Sequence, residues 1–161
     1  MLSFEDKYRI EELLRRETHL LDDRRFREWL DLFTDDVEYV IPLNESVQGD
    51  VAPAGHPIVK DGKDMLLARV LKDETGFNHA EIPTSMTCHL VSNIVIDESS
   101  KEDAEVRSAF IVRQGRKLRD EAWWVGRRRD LMRRVDDQWR IAHREIVLDT
   151  TLLPRGISIF F

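Results

Sequence analysis

Four stretches decide the fold: residues 86–97 (MTCHLVSNIVID), 104–115 (AEVRSAFIVRQG), 119–135 (RDEAWWVGRRRDLMRRV) and 138–149 (QWRIAHREIVLD). Each alternates apolar and polar residues with a period of two, which predicts β-strands. The turns between them, at 97–103, 115–117 and Asp136-Asp137-Gln138, are short and polar, so consecutive antiparallel hairpins follow. In the first stretch both faces carry apolar residues: Met86, Cys88, Leu90, Ile94 and Ile96 on one, Thr87, His89, Val91, Asn93 and Val95 on the other. A sheet apolar on both faces is normally covered on both. Helices of the same chain can cover one face, and the other is expected to pack against another chain.

Upstream the period becomes helical. Ser3 with Asp6 three residues on approximates a capping box, and Phe4, Tyr8, Leu13, Leu14, Leu20 and Leu21 recur at near-helical spacing. The polar run Asp22-Asp23-Arg24-Arg25 interrupts it. A second helix is expected to bury Phe26, Trp29, Leu30 and Phe33 and to end at Asp35-Asp36. Val37, Tyr39 and Ile41 then read as a strand closed by Pro42. Residues 43–60, with Gly49, Pro53, Gly55 and Pro57, read as an irregular loop of a length that often serves function or a partner. A third helix from Asp61 or Gly62 to about Glu74 would turn Met65, Leu66, Val70 and Leu71 inward, with Gly76 stopping it and Pro83 ending the next loop. Three helices before a long antiparallel sheet make an α+β plan. If the sheet bends strongly around the helices, the result is a cone, with Phe33, Tyr39 and Phe110 as candidates to fill its interior.

The 161 residues are expected to form a single domain, 1–161, large enough for a core without staples. The formal charge of −6 disfavours nucleic acid and anionic membranes as partners. No apolar run approaches the roughly 20 residues that span a bilayer, and no signal peptide is evident at the start. The single cysteine, Cys88, rules out an internal disulfide and fits a reducing, cytoplasmic setting. It also rules out a Rieske centre held by this chain alone, which needs two Cys and two His.

Catalytic candidates are sparse. His89 could pair with Asp22 or Asp23 from the end of the first helix, since a carboxylate orients an imidazole as a general base; a buried, hydrogen-bonded His with no chemistry fits the same spacing. His19, His56, His79, His89 and His143 form no local metal-ligand pair. Cys88 alternates with His89 and so points away from it, which makes core packing the ordinary role for the thiol. No nucleophile elbow or glycine-rich phosphate loop is present.

Arg supplies 19 of the 25 basic residues, and five fall at Arg127, Arg128, Arg129, Arg133 and Arg134. They read either as a solvated strand face or as a protein–protein surface, where Arg is favoured for bidentate pairing. Trp123 and Trp124 point to opposite faces, so one indole is expected to lie outside. Trp124 and Arg129 are taken as interface anchors.

Several segments together resemble a known family. They are His89-Leu90-Val91-Ser92-Asn93-Ile94, the run from Gly126 through Arg127-Arg128-Arg129-Asp130 to Arg134, Trp139-Arg140-Ile141 with Arg144 to Asp149, and Ile159-Phe160-Phe161. Residues 26–42 add a helix, an acidic pair and a strand. The chain resembles the small (β) subunit of Rieske-type aromatic-ring-hydroxylating dioxygenases. That resemblance implies a cone-shaped, nuclear-transport-factor-2-like (NTF2-like, cystatin-like) fold, and a homotrimer associated with a large (α) subunit. The α subunit would hold the Rieske [2Fe–2S] cluster and the mononuclear Fe(II), with no cofactor or metal bound by this chain. The role implied is structural, with no catalytic residue of its own. The same fold also hosts dehydratases and isomerases, some with an Asp–His pair, and there His89, Asp22 and Asp23 would be the catalytic candidates.

Overall fold

Ser3 starts the first helix as the sequence predicts. In the computed structural model, which describes residues 2–42, 57–98, 100–117, 120–149 and 153–161, the Ser3 hydroxyl accepts from the Asp6 N–H at 3.0 Å and the Asp6 carboxylate accepts from the Ser3 N–H at 3.1 Å. Helix α1 (Phe4–Asp22) buries Ile10, Leu14, Glu17, Leu20 and Leu21 along one stripe. Phe4 and Tyr8, expected on that stripe, are exposed. Helix α2 (Phe26–Leu30) is short, and strand β1 (Phe33–Ile41) begins four residues before the position the alternation suggested. Residues 43–56 of the expected loop lie outside the described residues. Its last part instead forms strand β2 (Val59–Asp61) with the first residue of the expected helix. Helix α3 (Lys63–Glu74) buries Leu66 and Val70 and leaves Met65 and Leu71 exposed. A single 3-10 turn, His79–Glu81, precedes the long strands β3 (Met86–Glu98), β4 (Asp103–Arg116), β5 (Asp120–Val135) and β6 (Gln138–Leu148).

The six strands form one sheet in the order β2-β1-β6-β5-β4-β3. The three expected hairpins, β3–β4, β4–β5 and β5–β6, are present and antiparallel. β1 joins β6 in parallel, so the sheet is mixed. α1 lies against β3 and α3 against β1. Two expectations fail here. The sheet does not curl or close into a cone: among the described residues it is open, with β2 and β3 as its edge strands at opposite ends. The apolar character of both faces of β3, which suggested that another chain covers the outer one, corresponds to one face against this chain's core and one facing outward. The second failure lies within β3. The register shifts between Ser92 and Val95, and Asn93 takes a left-handed conformation at φ 54°. A bulge of this kind reverses the alternation. Ile94 and Ile96 therefore pack against the core, Val95 faces out, and Asn93 no longer shares a face with His89.

The core lies between the helices and the inward sheet face, around Trp29, Phe33, Trp124, Met132 and Ile141. The segment 157–161, in no regular element, threads into this layer, and Phe161 is only 1 % exposed.

Candidate functional site

The end of α1 faces the first half of β3. Asp22 is the last residue of α1, and its Oδ1 lies 2.5 Å from His89 Nδ1. The same carboxylate accepts from the His89 backbone N–H at 3.0 Å and from the Thr87 hydroxyl at 3.0 Å. Burial alone would raise this carboxyl, but the hydrogen bonds from the His89 ring and backbone outweigh it and hold Asp22 below the ordinary carboxylate value. The structure thus unites two of the three sequence candidates. Asp23 is exposed and contributes only its backbone N–H, which caps α1 through the His19 carbonyl at 2.9 Å.

His89 Nε2 is also occupied: it lies 2.9 Å from the Phe160 carbonyl oxygen. A cavity of about 160 Å³ opens beside the pair. Its apolar wall includes Leu21, Phe26, Tyr39, Ile41, Leu66 and Phe160. Charged groups gather on the other side as pairs, Arg24 with Asp73 and Arg69 with Asp61, and Glu81 also lines it. Tyr39 is therefore a wall of the cavity, whereas Phe33 and Phe110 belong to the core.

Deeper in the same layer lies a charged cluster that the sequence reading missed. Arg144 donates to both Glu17 and Asp130, with Nε–Oδ1 2.8 Å and Nη2–Oδ2 2.9 Å to the latter. Arg128 donates to Glu17 at 3.1 Å, and Trp29 Nε1 donates to Glu17 at 2.9 Å. All four charges are buried, and two acids balance two bases. Burial would raise the Glu17 carboxyl, but Arg144 and Arg128 bring it down to about 2. Burial and its neighbour Arg144 both lower the Arg128 guanidinium. A signal existed in the sequence: Arg128 and Asp130 alternate in step with Trp124 and Met132, so they share the inward face.

A second polar cluster, also missed, ties Glu81 to Ser85, Gln114, Arg116 and Ser158. Arg116 reaches Glu81 at 3.0 Å, and the Ser158 hydroxyl donates to Glu81 at 2.5 Å. Among the described residues, no group of three or more His, Cys, Asp or Glu side chains could hold a metal ion. Nor, among them, is any helix long and apolar enough to cross a membrane.

The outward sheet face has a different character. Leu90, Ile111 and Val125 lie side by side across β3, β4 and β5, and Cys88, Arg113 and Trp123 form the next row. Met86, Leu90, Ile111, Trp123 and Val125 are all exposed, Met86 at 78 %. Cys88 is exposed there too, not packed in the core. Towards the other end of the same face stand Arg107, Arg127 and Arg129 with Asp97 and Glu145. Of the two expected anchors, Arg129 faces out as anticipated, but Trp124 is buried and Trp123 takes the outward place.

The family model described as "Ring hydroxylating beta subunit" matches residues 16–155. The β subunit of a benzoate 1,2-dioxygenase from Burkholderia mallei superposes with a TM-score of 0.74 at 21 % identity, covering 92 % of each chain. A chain of naphthalene 1,2-dioxygenase with indole bound gives 0.82 at 18 %, covering 99 % of this chain and 95 % of that one. A candidate scytalone dehydratase from Novosphingobium aromaticivorans gives 0.73 at 23 %, covering 96 % and 91 %. These structural likenesses show a shared fold, and the family model goes further by spanning most of the sequence. The chain belongs to the ring-hydroxylating β-subunit family, the small subunits of Rieske-type aromatic-ring dioxygenases.

Proposed function

We propose that this chain is the structural, non-catalytic β subunit of a Rieske non-haem iron dioxygenase of aromatic-compound catabolism. It self-associates as a homotrimer and holds the catalytic α subunits in register. The α subunit carries the [2Fe–2S] cluster and the mononuclear Fe(II), and no step of the oxygenation is routed through this chain. The observation that carries the reading is the apolar patch on the outward face of β3–β5, on a chain that belongs to a β-subunit family. Contiguous exposed apolar surface of this kind marks interaction sites. Its charged end holds both signs, Arg107, Arg127 and Arg129 with Asp97 and Glu145, which suits packing against further copies of the same chain. The exposed Cys88 thiol suits a reducing, cytoplasmic setting.

The test is to make that face polar with Leu90→Ser and Trp123→Ser together, and to size the protein with its α subunit. Loss of the mixed oligomer with an unchanged circular dichroism spectrum supports the reading. An oligomer that forms as before refutes it.

One observation favours a second reading, a dehydratase or isomerase that uses His89 as base and Asp22 as its orienting partner: the two are in contact beside a cavity. Losing a general base costs about 10²–10⁴-fold in rate. Unchanged oxygenase turnover in an α–β assembly carrying His89→Ala would favour the structural role, whereas dehydration or isomerisation of a small cyclic substrate by the free-standing chain, falling by that factor in His89→Ala, would favour the dyad.

A further inference from the structure

We infer that the Asp22–His89 pair is a latch that seats the segment 157–161 inside the protein, and that this segment is the movable wall of the cavity beside it. The segment belongs to no helix or strand, so its backbone groups need other partners when buried. It finds them in side chains. The Phe160 carbonyl accepts from His89 Nε2 at 2.9 Å, and the Phe161 N–H donates to the Tyr39 hydroxyl at 2.9 Å. The Phe161 oxygen accepts from Tyr39 and Arg144, both at 3.1 Å. Ser158 is tied to the Glu81 cluster. The rings supply packing: Phe160 lies 4.3 Å from Trp29 and 5.5 Å from Phe26, and Phe161 lies 5.3 Å from Trp124, centroid to centroid.

His89 occupies a special place among these partners because both of its ring nitrogens face acceptors. A neutral imidazole donates from one nitrogen only. The Phe160 carbonyl can only accept, so Nε2 is the nitrogen that donates to it, and Nδ1 is left to face Asp22. The carboxylate, fixed in turn by Thr87 and the His89 backbone, aims the ring, and the ring donates a hydrogen bond to the segment. A general base would instead present a free lone pair to the cavity, and Nε2 does not. The cavity is lined by residues 157–160 as well as by His89, so lifting the segment removes one of its walls. None of the latch residues lies on the outward sheet face, so the latch and the proposed self-association surface are tested by different variants.

Hydrogen exchange of amides 157–161 on the full chain tests it, with uptake of the apolar dye anilinonaphthalene sulfonate as a second readout. In His89→Leu, exchange in 157–161 should rise about tenfold or more, because the buried Phe160 carbonyl loses its donor. Dye uptake should rise with it, while β4–β6 amides stay protected. His89→Gln, whose amide can still donate to the Phe160 carbonyl, should restore most of the protection. Unchanged exchange in His89→Leu overturns the latch, as does a His89→Gln variant that exchanges as fast as the leucine one. Should His89→Leu fail to fold, Asp22→Asn carries the same comparison: faster exchange confined to 157–161 supports the latch, and wild-type exchange overturns it.

Discussion

Trp123 and Trp124 are consecutive residues with opposite surroundings. Trp124 is 1 % exposed, with its indole N–H donating to Gln114 at 3.0 Å; Trp123 is 56 % exposed on the outward face, with its N–H on Glu121 at 2.6 Å. The pleat of β5 alone separates them. Their substitutions should therefore separate two properties. Trp123→Ser should leave thermal stability near wild type and weaken self-association by about 2 kcal/mol or more, as for a buried interface anchor. Trp124→Ser should cost roughly 3–5 kcal/mol of stability, as other large core truncations do. Sedimentation equilibrium and thermal melts on the two variants check this, and association unaffected by Trp123→Ser would remove it from the interface.

Glu17 links acid stability to the buried cluster. Its carboxyl lies at about 2 in the folded chain against 4.5 ordinarily. A depressed carboxyl stabilises the fold above its ordinary value, and that contribution fades as pH falls through the folded one. The window is thus from about pH 4.5 down to about 2, and the contribution is on the order of 3 kcal/mol. Asp6, held at about 2 mainly by its hydrogen bond from Ser3, acts in the same direction. Glu17→Gln should lose roughly 3–5 kcal/mol at neutral pH, because Arg128 and Arg144 stay buried with less compensation. Its melting temperature should also fall less steeply than the wild type's on acidification. Parallel pH profiles for the two proteins would show that Glu17 is not the group responsible.

Gly126 is required by space. A Cβ there would meet the Val147 carbonyl oxygen and lie 2.9 Å from Phe110 Cζ. Backbone cannot yield as a flexible side chain would, so Gly126→Ala should destabilise by about 1–3 kcal/mol. Chemical denaturation measures this; a variant as stable as wild type would mean that β5 and β6 can part locally without loss.

The sequence showed much of this molecule where one rule acted alone. The long strands emerge within a residue or so of the expected bounds because alternation runs along most of each of them. The helix cap at Ser3 and Asp6 is local chemistry and reads directly. What escaped depends on distant pairing. The parallel docking of β1 on β6 leaves no mark in either strand. The bulge at Asn93 turned half of β3 over, because one left-handed residue shifts every later side chain. The Asp22–His89 contact was legible as a candidate, since each lies at the end or face of a regular element. Its third member, the Phe160 carbonyl, was not, because a main-chain oxygen in an irregular segment has no sequence signature. Arg128 and Asp130 were hidden by composition: charged residues in an Arg-rich run look solvent-facing unless the pleat is followed from Trp124.

The central claim is that this chain supports an iron-bearing partner without holding the iron. The most direct measurement is native mass with iron content, for the chain expressed alone and co-expressed with its dioxygenase α subunit. The expected result is a mixed oligomer of α and β chains, built on three β copies, with iron present only when the α subunit is. A β chain that stays monomeric and never joins the α subunit would contradict it.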